Sequence, residues 1–239
     1  MPPRKRSVKS HEPNAPSVQA NSGTPPRTGR RLDAAVREQQ IVTGAVQFFA
    51  EHGFDGRTRD LADRLGVTQP LLYRYFPTKR SLIDRVFREV YLRPFEIDWS
   101  TLLTDRGRTL VDRLEIFYSG YAQATYRYEW IRIYMFAGLM GEDLNKSYIA
   151  MVEDKILKVI CSEVRHYCGL PGAGVIPISE LELEHIWVLH GGLFYYAVRK
   201  YIYGARVSDD FAAIVRRAVS AMLDGTKSNA SNRGGQPEP

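Results

Sequence analysis

Cysteine is scarce in this chain of 239 residues: Cys161 and Cys168 stand alone, without a CxxC pair, so neither a disulfide framework nor a zinc cluster is indicated. Long apolar runs are missing too. The longest, HIWVLHGGLFYYAV at 185–198, holds two histidines and falls short of the roughly 20 apolar residues that a membrane helix needs. The basic N-terminus has no hydrophobic segment behind it, so no secretory signal and no membrane partner are expected, and the cytoplasm is the expected compartment. HExxH, a Ser-His-Asp context and a phosphate-cradling glycine loop are all absent. His185 and His190, five apart, suit no shared metal on a helix, and Cys161, His166 and Cys168 form only a weak cluster. No cofactor, no metal site and no catalytic residue is therefore expected.

One-sided charge is confined to the start of the chain. Of 33 basic and 27 acidic residues, Arg4, Lys5, Arg6, Lys9, Arg27, Arg30 and Arg31 lie within residues 1–32 against Glu12 alone, which leaves 26 of each sign beyond. The segment 1–32 is rich in Pro, Ser, Asn and Gly and reads as a disordered basic tail. It is either a cationic arm that follows DNA phosphates or a solvated extension.

What is present is a periodic pattern in TRDLADRLGVTQPLLYRYFPTK, residues 58–79. Thr58 can cap a helix running to about Leu65, in which Leu61, Ala62 and Leu65 share one face. Gly66 supplies a bend, and Ala62 the small side chain where two steeply crossing helices approach. Thr68 can cap a second helix with Pro70 in its first turn, where a missing N–H is harmless. Leu72 and Phe76 make its buried face, leaving Gln69, Pro70, Tyr73 and Arg74 outward, where the residues of a recognition helix reach base edges. Upstream, Ile41, Val42, Ala45, Phe48 and Phe49 recur at helical intervals before a stop at Gly53. Downstream, Thr78 opens a fourth helix, 78–93, carrying Leu82, Ile83, Val86 and Phe87 and broken at Pro94.

Through FFAEHGFDGRTRDLADRLGVTQPLLYRYFPTKRSLID the chain resembles the TetR family of bacterial transcriptional regulators. The resemblance implies a helix-turn-helix DNA-binding domain over 33–80. It also implies that Arg59 and Gln69 read base edges, for which arginine suits guanine and glutamine suits adenine. Pro70 matches a thymine-methyl contact. Thr58, Tyr73 and Lys79 match phosphate contacts that fix register. Tyr75 matches a backbone-contacting aromatic position. Arg74 departs from the pattern and can add a base or phosphate contact. From the residues alone, Tyr73 and Tyr75 are also possible packing residues, and Arg59 a solvated partner of Asp63.

Beyond Pro94 the pattern is helical to the end, which makes the fold all-α, with about nine helices. Stripes at Leu110, Leu114, Phe117, Tyr118 and Tyr121 and at Trp130, Ile133, Tyr134 and Ala137 mark two helices, a third spans about 142–168, and an eighth opens at Ser179 with a capping box to Glu182 and runs to Gly204. The last is capped by Ser208 and gives way to a polar, disordered tail over 225–239. The helical domain of 94–224 is rich in polar-tipped rings, and a dry core has few partners for them. A pocket for a small aromatic or amphipathic effector is expected, with Tyr118, Tyr121, Trp130, Tyr134, His190 and Phe194 as candidate lining. The family implies a homodimer through 179–224, where Gly191 and Gly192 permit close approach or a local bend. Together these point to a ligand-responsive regulator that binds double-stranded DNA, a repressor released from a palindromic operator. The alternatives are an activator or a ligand-independent DNA-binding regulator and, from another class, a helical enzyme that uses the same pocket.

Overall fold

Apolar side chains at helical spacing bury Ile41, Val42, Ala45, Phe48 and Phe49 on one side of the first helix, α1 (Ala34–His52). A computed structural model describes residues 34–92, 97–140 and 143–233, all helix and connecting turns, with no strand among the described residues. The basic tail, residues 1–32, lies outside them.

α1 stops at Gly53, whose N–H still bonds the Phe49 carbonyl at 2.9 Å. α2 (Thr58–Arg64) and α3 (Gln69–Tyr75) follow. Gly66 between them has φ +63°, a left-handed conformation that disfavours a side chain. Around it the Val67 N–H bonds the Ala62 carbonyl at 3.0 Å and the Gly66 N–H bonds the Asp63 carbonyl at 3.1 Å, closing α2 in the manner of a Schellman turn. Ala62 is buried in the corner, as its size suggests, but the tightest approach lies elsewhere. A Cβ on Gly44 of α1 would run into the Leu65 side chain, so a larger residue there makes that leucine shift where α1 meets the end of α2.

Caps locate the next two starts. Thr68 Oγ1 accepts from the Leu71 N–H at 3.3 Å. Thr78 accepts from the Ser81 N–H at 3.0 Å while Ser81 Oγ accepts from the Thr78 N–H at 3.2 Å, a reciprocal box opening α4 (Lys79–Phe87). α4 then widens into a π turn over Arg88–Leu92.

The C-terminal part begins with α5 (Trp99–Thr104), a helix the sequence reading did not contain, capped by Asp98 at 3.0 Å from the Ser100 N–H. α6 (Leu110–Thr125), α7 (Tyr128–Leu139) and a continuous stretch follow, in which α8 (Asp143–Val152) passes through a π turn, Glu153–Leu157, into α9 (Lys158–Tyr167). α10 (Glu180–Tyr201) carries the expected Ser179–Glu182 box, and α11 (Phe211–Arg233) packs along α6.

Two details of α11 differ from the sequence reading. Asp210, whose Oδ1 accepts from the Ala213 N–H at 2.9 Å, holds its first turn in place of Ser208. The helix also continues through Gly225 to Arg233 instead of ending in a polar tail at 225. Once a helix is nucleated each added residue is nearly neutral, and here Thr226 and Ser228 donate back to the Met222 and Asp224 carbonyls at 2.8 and 2.9 Å.

A buried ion pair organises the centre. Arg113 of α6 meets Glu163 of α9 at 2.8 Å with both side chains about 5% exposed or less, and donates to the Leu103 carbonyl of α5. Removing one member of such a pair leaves an uncompensated charge, at a cost of roughly 3–5 kcal/mol. Arg165 grips both Glu182 oxygens at 2.7 Å and donates to the Ile176 and Pro177 carbonyls, which fixes the 170–179 connection. Its hydrogen bonds hold the Glu182 carboxyl at about 2.

Candidate nucleic-acid interface and effector pocket

On α3, Pro70, Tyr73 and Arg74 are exposed and Gln69 is half-buried, while Leu72 points inward at 1% exposure. Thr58 starts α2 but does not cap it: Arg57 is the N-cap residue and makes no side-chain bond there. The Thr58 hydroxyl instead faces α3, accepting from Gln69 Nε2 at 3.2 Å and hydrogen-bonded to the Tyr73 hydroxyl at 3.0 Å, either hydroxyl able to donate. Thr58, Gln69 and Tyr73 thus form one connected group on the outer surface. Thr68 is exposed at the start of α3, with its hydroxyl engaged as the cap.

Arg59 and Arg74 are exposed and, among the described residues, hold no ion pair, not even Arg59 with the nearby Asp63. Lys79, at the first turn of α4, is half-buried. Tyr75 differs from Tyr73, since its ring packs against the hydrophobic core. This surface therefore carries unpaired cations beside a fixed group of hydrogen-bonding side chains, the two ingredients of phosphate attraction and base-edge reading.

The second site lies between α6, α7, α8 and α10. Five of the six residues named from the sequence line one pocket with a cavity volume of about 80 Å³: Tyr121, Trp130, Tyr134, His190 and Phe194. The sixth, Tyr118, stands behind the wall, fully buried, its ring 5.9 Å from that of His190. Tyr148, Ile149 and Val152 of α8 and Trp187 and Gly191 of α10 complete the lining. The Trp130 and Tyr134 rings stack at 5.2 Å and 10°, with Phe194 edge-on to Tyr134 at 5.4 Å. The Tyr121 and Tyr148 hydroxyls are hydrogen-bonded at 2.5 Å, either able to donate, and burial pushes both phenols above their ordinary value. Burial lowers His190 to about 4, so its imidazole is neutral at pH 7. The buried atoms Trp130 Nε1 and His190 Nδ1 have no hydrogen-bond partner among the described residues.

Two contacts join the sites. Tyr91, in the π turn that ends α4, is fully buried, stacks on Phe87 at 4.2 Å, and lies 4.9 Å from Trp130 and 5.2 Å from Tyr148. Its hydroxyl donates to the Trp130 carbonyl at 3.3 Å. Arg132 of α7 donates to the Ala50 and Glu51 carbonyls at the end of α1 and lies over the Phe136 ring. Neither residue was singled out from the sequence. Tyr91 sits among aromatics that periodicity treats as core, and Arg132 carries no local signal.

The chain has recognisable relatives. Residues 41–86 match the family model described as bacterial regulatory proteins, tetR family. The HTH-type transcriptional repressor KstR2 of Rhodococcus jostii is 28% identical over 214 residues, 86% of this chain and 98% of that protein. The class D tetracycline repressor of Escherichia coli is 36% identical over 61 residues, 25% of this chain and 28% of its own length, so that likeness is confined to one region. A solved TetR-like transcriptional regulator from Rhodococcus sp. RHA1 superimposes with a TM-score of 0.59 at 20% identity, covering 82% of this chain and all of that one, a likeness of fold.

Proposed function

This chain belongs to the TetR family of bacterial transcriptional regulators, and from that premise we propose a homodimeric repressor that leaves a palindromic operator when a small molecule enters the α6–α7–α8–α10 pocket. DNA-binding regulation is the family's role. Repression, dimerisation, the effector and a cytoplasmic location are our reading, as is the absence of enzymatic turnover.

The observation that carries the effector reading is Tyr91. It belongs to the turn that ends α4, and α4 follows the reading helix directly, yet its ring and hydroxyl are held by the pocket residues Trp130 and Tyr148. A ligand that moves Trp130 moves the end of α4 with it, and the two reading heads change their separation. Coupling of about 1–3 kcal/mol, the usual allosteric range, lowers operator affinity by roughly 5- to 150-fold.

On the DNA side, Arg59, Gln69 and Arg74 are the proposed base readers and Pro70 a thymine-methyl contact. Thr58, Thr68, Tyr73, Tyr75 and Lys79 are the proposed backbone set. The size of one subunit supports a dimer, because a folded chain of about 200 residues has a radius of gyration near 16 Å. Half-sites one helical turn apart, about 34–36 Å, then need two subunits. Selection of DNA from a random pool by the purified chain tests this: a two-fold symmetric consensus with that spacing is expected, and an asymmetric or absent consensus overturns the reading.

A further inference from the structure

Resting on the effector reading above, we propose that the pocket takes an uncharged, flat aromatic molecule bearing a hydrogen-bond acceptor, which the indole N–H of Trp130 engages. Shape is the first argument. Trp130 and Tyr134 present nearly parallel faces, and Phe194 and Tyr148 stand edge-on to both at 5.4–6.3 Å with interplanar angles of 65–70°. Aromatic edges and faces of this kind favour another ring between or beside them.

Charge is the second argument. Among the described residues no Asp, Glu, Lys or Arg lines the pocket, and the rings around His190 are Tyr118, Tyr121 and Trp187. A charged ligand loses its hydration there without a counter-charge. Hydrogen bonding is the third. Trp130 is 2% exposed and its Nε1 has no partner among the described residues. An indole nitrogen only donates, and a buried donor left alone is destabilising. An acceptor that displaces the surrounding rings far enough to reach Nε1 recovers that cost, whereas a hydrocarbon does not. His190, 7% exposed with Nδ1 unpartnered, offers a neutral imidazole as a second polar point.

Size completes the argument. A cavity of about 80 Å³ is small beside ligand pockets of roughly 300–1,000 Å³, so entry displaces the rings around it. The exposed Ile149 and Gly191 border the pocket on α8 and α10 and mark its open side.

Three compounds of nearly one shape test the proposal: acetophenone, a flat ketone; α-methylstyrene, the hydrocarbon with CH₂ in place of the carbonyl oxygen; and benzoate, its charged counterpart. Binding to the full chain is followed by ¹⁵N NMR of the indole N–H signals, of which three tryptophans give three. Acetophenone is expected to bind about tenfold more tightly than α-methylstyrene, the worth of one recovered hydrogen bond, and at least tenfold more tightly than benzoate. The Trp130 indole signal moves downfield with the ketone alone. Trp130→Phe removes the preference for the ketone and leaves hydrocarbon binding. Should that variant fail to fold, the wild-type series and the indole shift decide. Equal binding of ketone and hydrocarbon, tightest binding of benzoate, or no binding of any of the three overturns the proposal. Operator occupancy measured in parallel separates the two readings: the ligand series holding with occupancy unchanged sinks effector control alone.

Discussion

Thr58 is the residue at which local chemistry and tertiary structure part company. The N-cap position of α2 falls one residue earlier, on Arg57, and the Thr58 hydroxyl, set in the first turn, bonds Gln69 and Tyr73, 11 and 15 residues away. The consequence is functional, because Gln69 is a proposed base reader and the bond spends one of its amide protons, which leaves its carbonyl and one N–H to pair with a base. Thr58→Val keeps the shape and removes both bonds. Operator affinity in a titration should fall about fivefold, the worth of roughly 1 kcal/mol for a lost hydrogen bond, with relaxed base preference at the position Gln69 reads. Thr58→Ser should restore both. A valine variant with native affinity and native preference would mean that the group is ornamental.

At the scale of elements, several starts were legible in the sequence and long-range fastenings were not. Thr68, Thr78 and Ser179 all accept from an N–H in the first turn of the helix they open, because a cap depends on three or four neighbouring residues. α5 was missed although Asp98 opens it by the same device, since six residues hold too little periodicity to register. Tyr148 was missed as pocket lining because α8 shows its pocket side only once it lies against α7. Arg132 is the clearest case of a fastening without local signal. Its guanidinium serves the last carbonyls of α1, groups that no intrahelical donor satisfies, and it does so from α7, the helix that also carries Trp130 and Tyr134. Arg132→Gln should cost about 2 kcal/mol, the scale of a charge-assisted hydrogen bond, which lowers Tm by about 4–8 °C for a domain of this size. Calorimetry measures the shift. Operator binding should weaken with it, since α1 is the platform for the reading pair. An unchanged Tm would show that the bonds to α1 contribute nothing.

At the scale of the whole molecule, the apolar positions left uncovered on α10 are where the proposed second copy would pack. Leu181, Val188 and Tyr195 are 75%, 73% and 52% exposed on α10, spaced by seven, the repeat that keeps apolar residues on one seam between packed helices. Gly191 and Gly192 lie beside them with open space at their Cβ positions. On α11 the exposed positions Ala221, Gly225 and Ser228 are small, so another helix can come close. An apolar seam of this kind on an otherwise charged surface marks an interaction site, and isologous pairing repeats it from both sides. The native chain of 27.2 kDa should therefore sediment as a dimer. Val188→Glu sets two carboxylates against each other across the two-fold axis without touching the core, so it should sediment as a monomer of native helicity. Its operator affinity should drop by far more than tenfold, because a single head contacts one half-site. A variant that stays dimeric would remove α10 from the interface, and a monomeric variant that still binds the full operator as tightly would sever dimerisation from DNA reading.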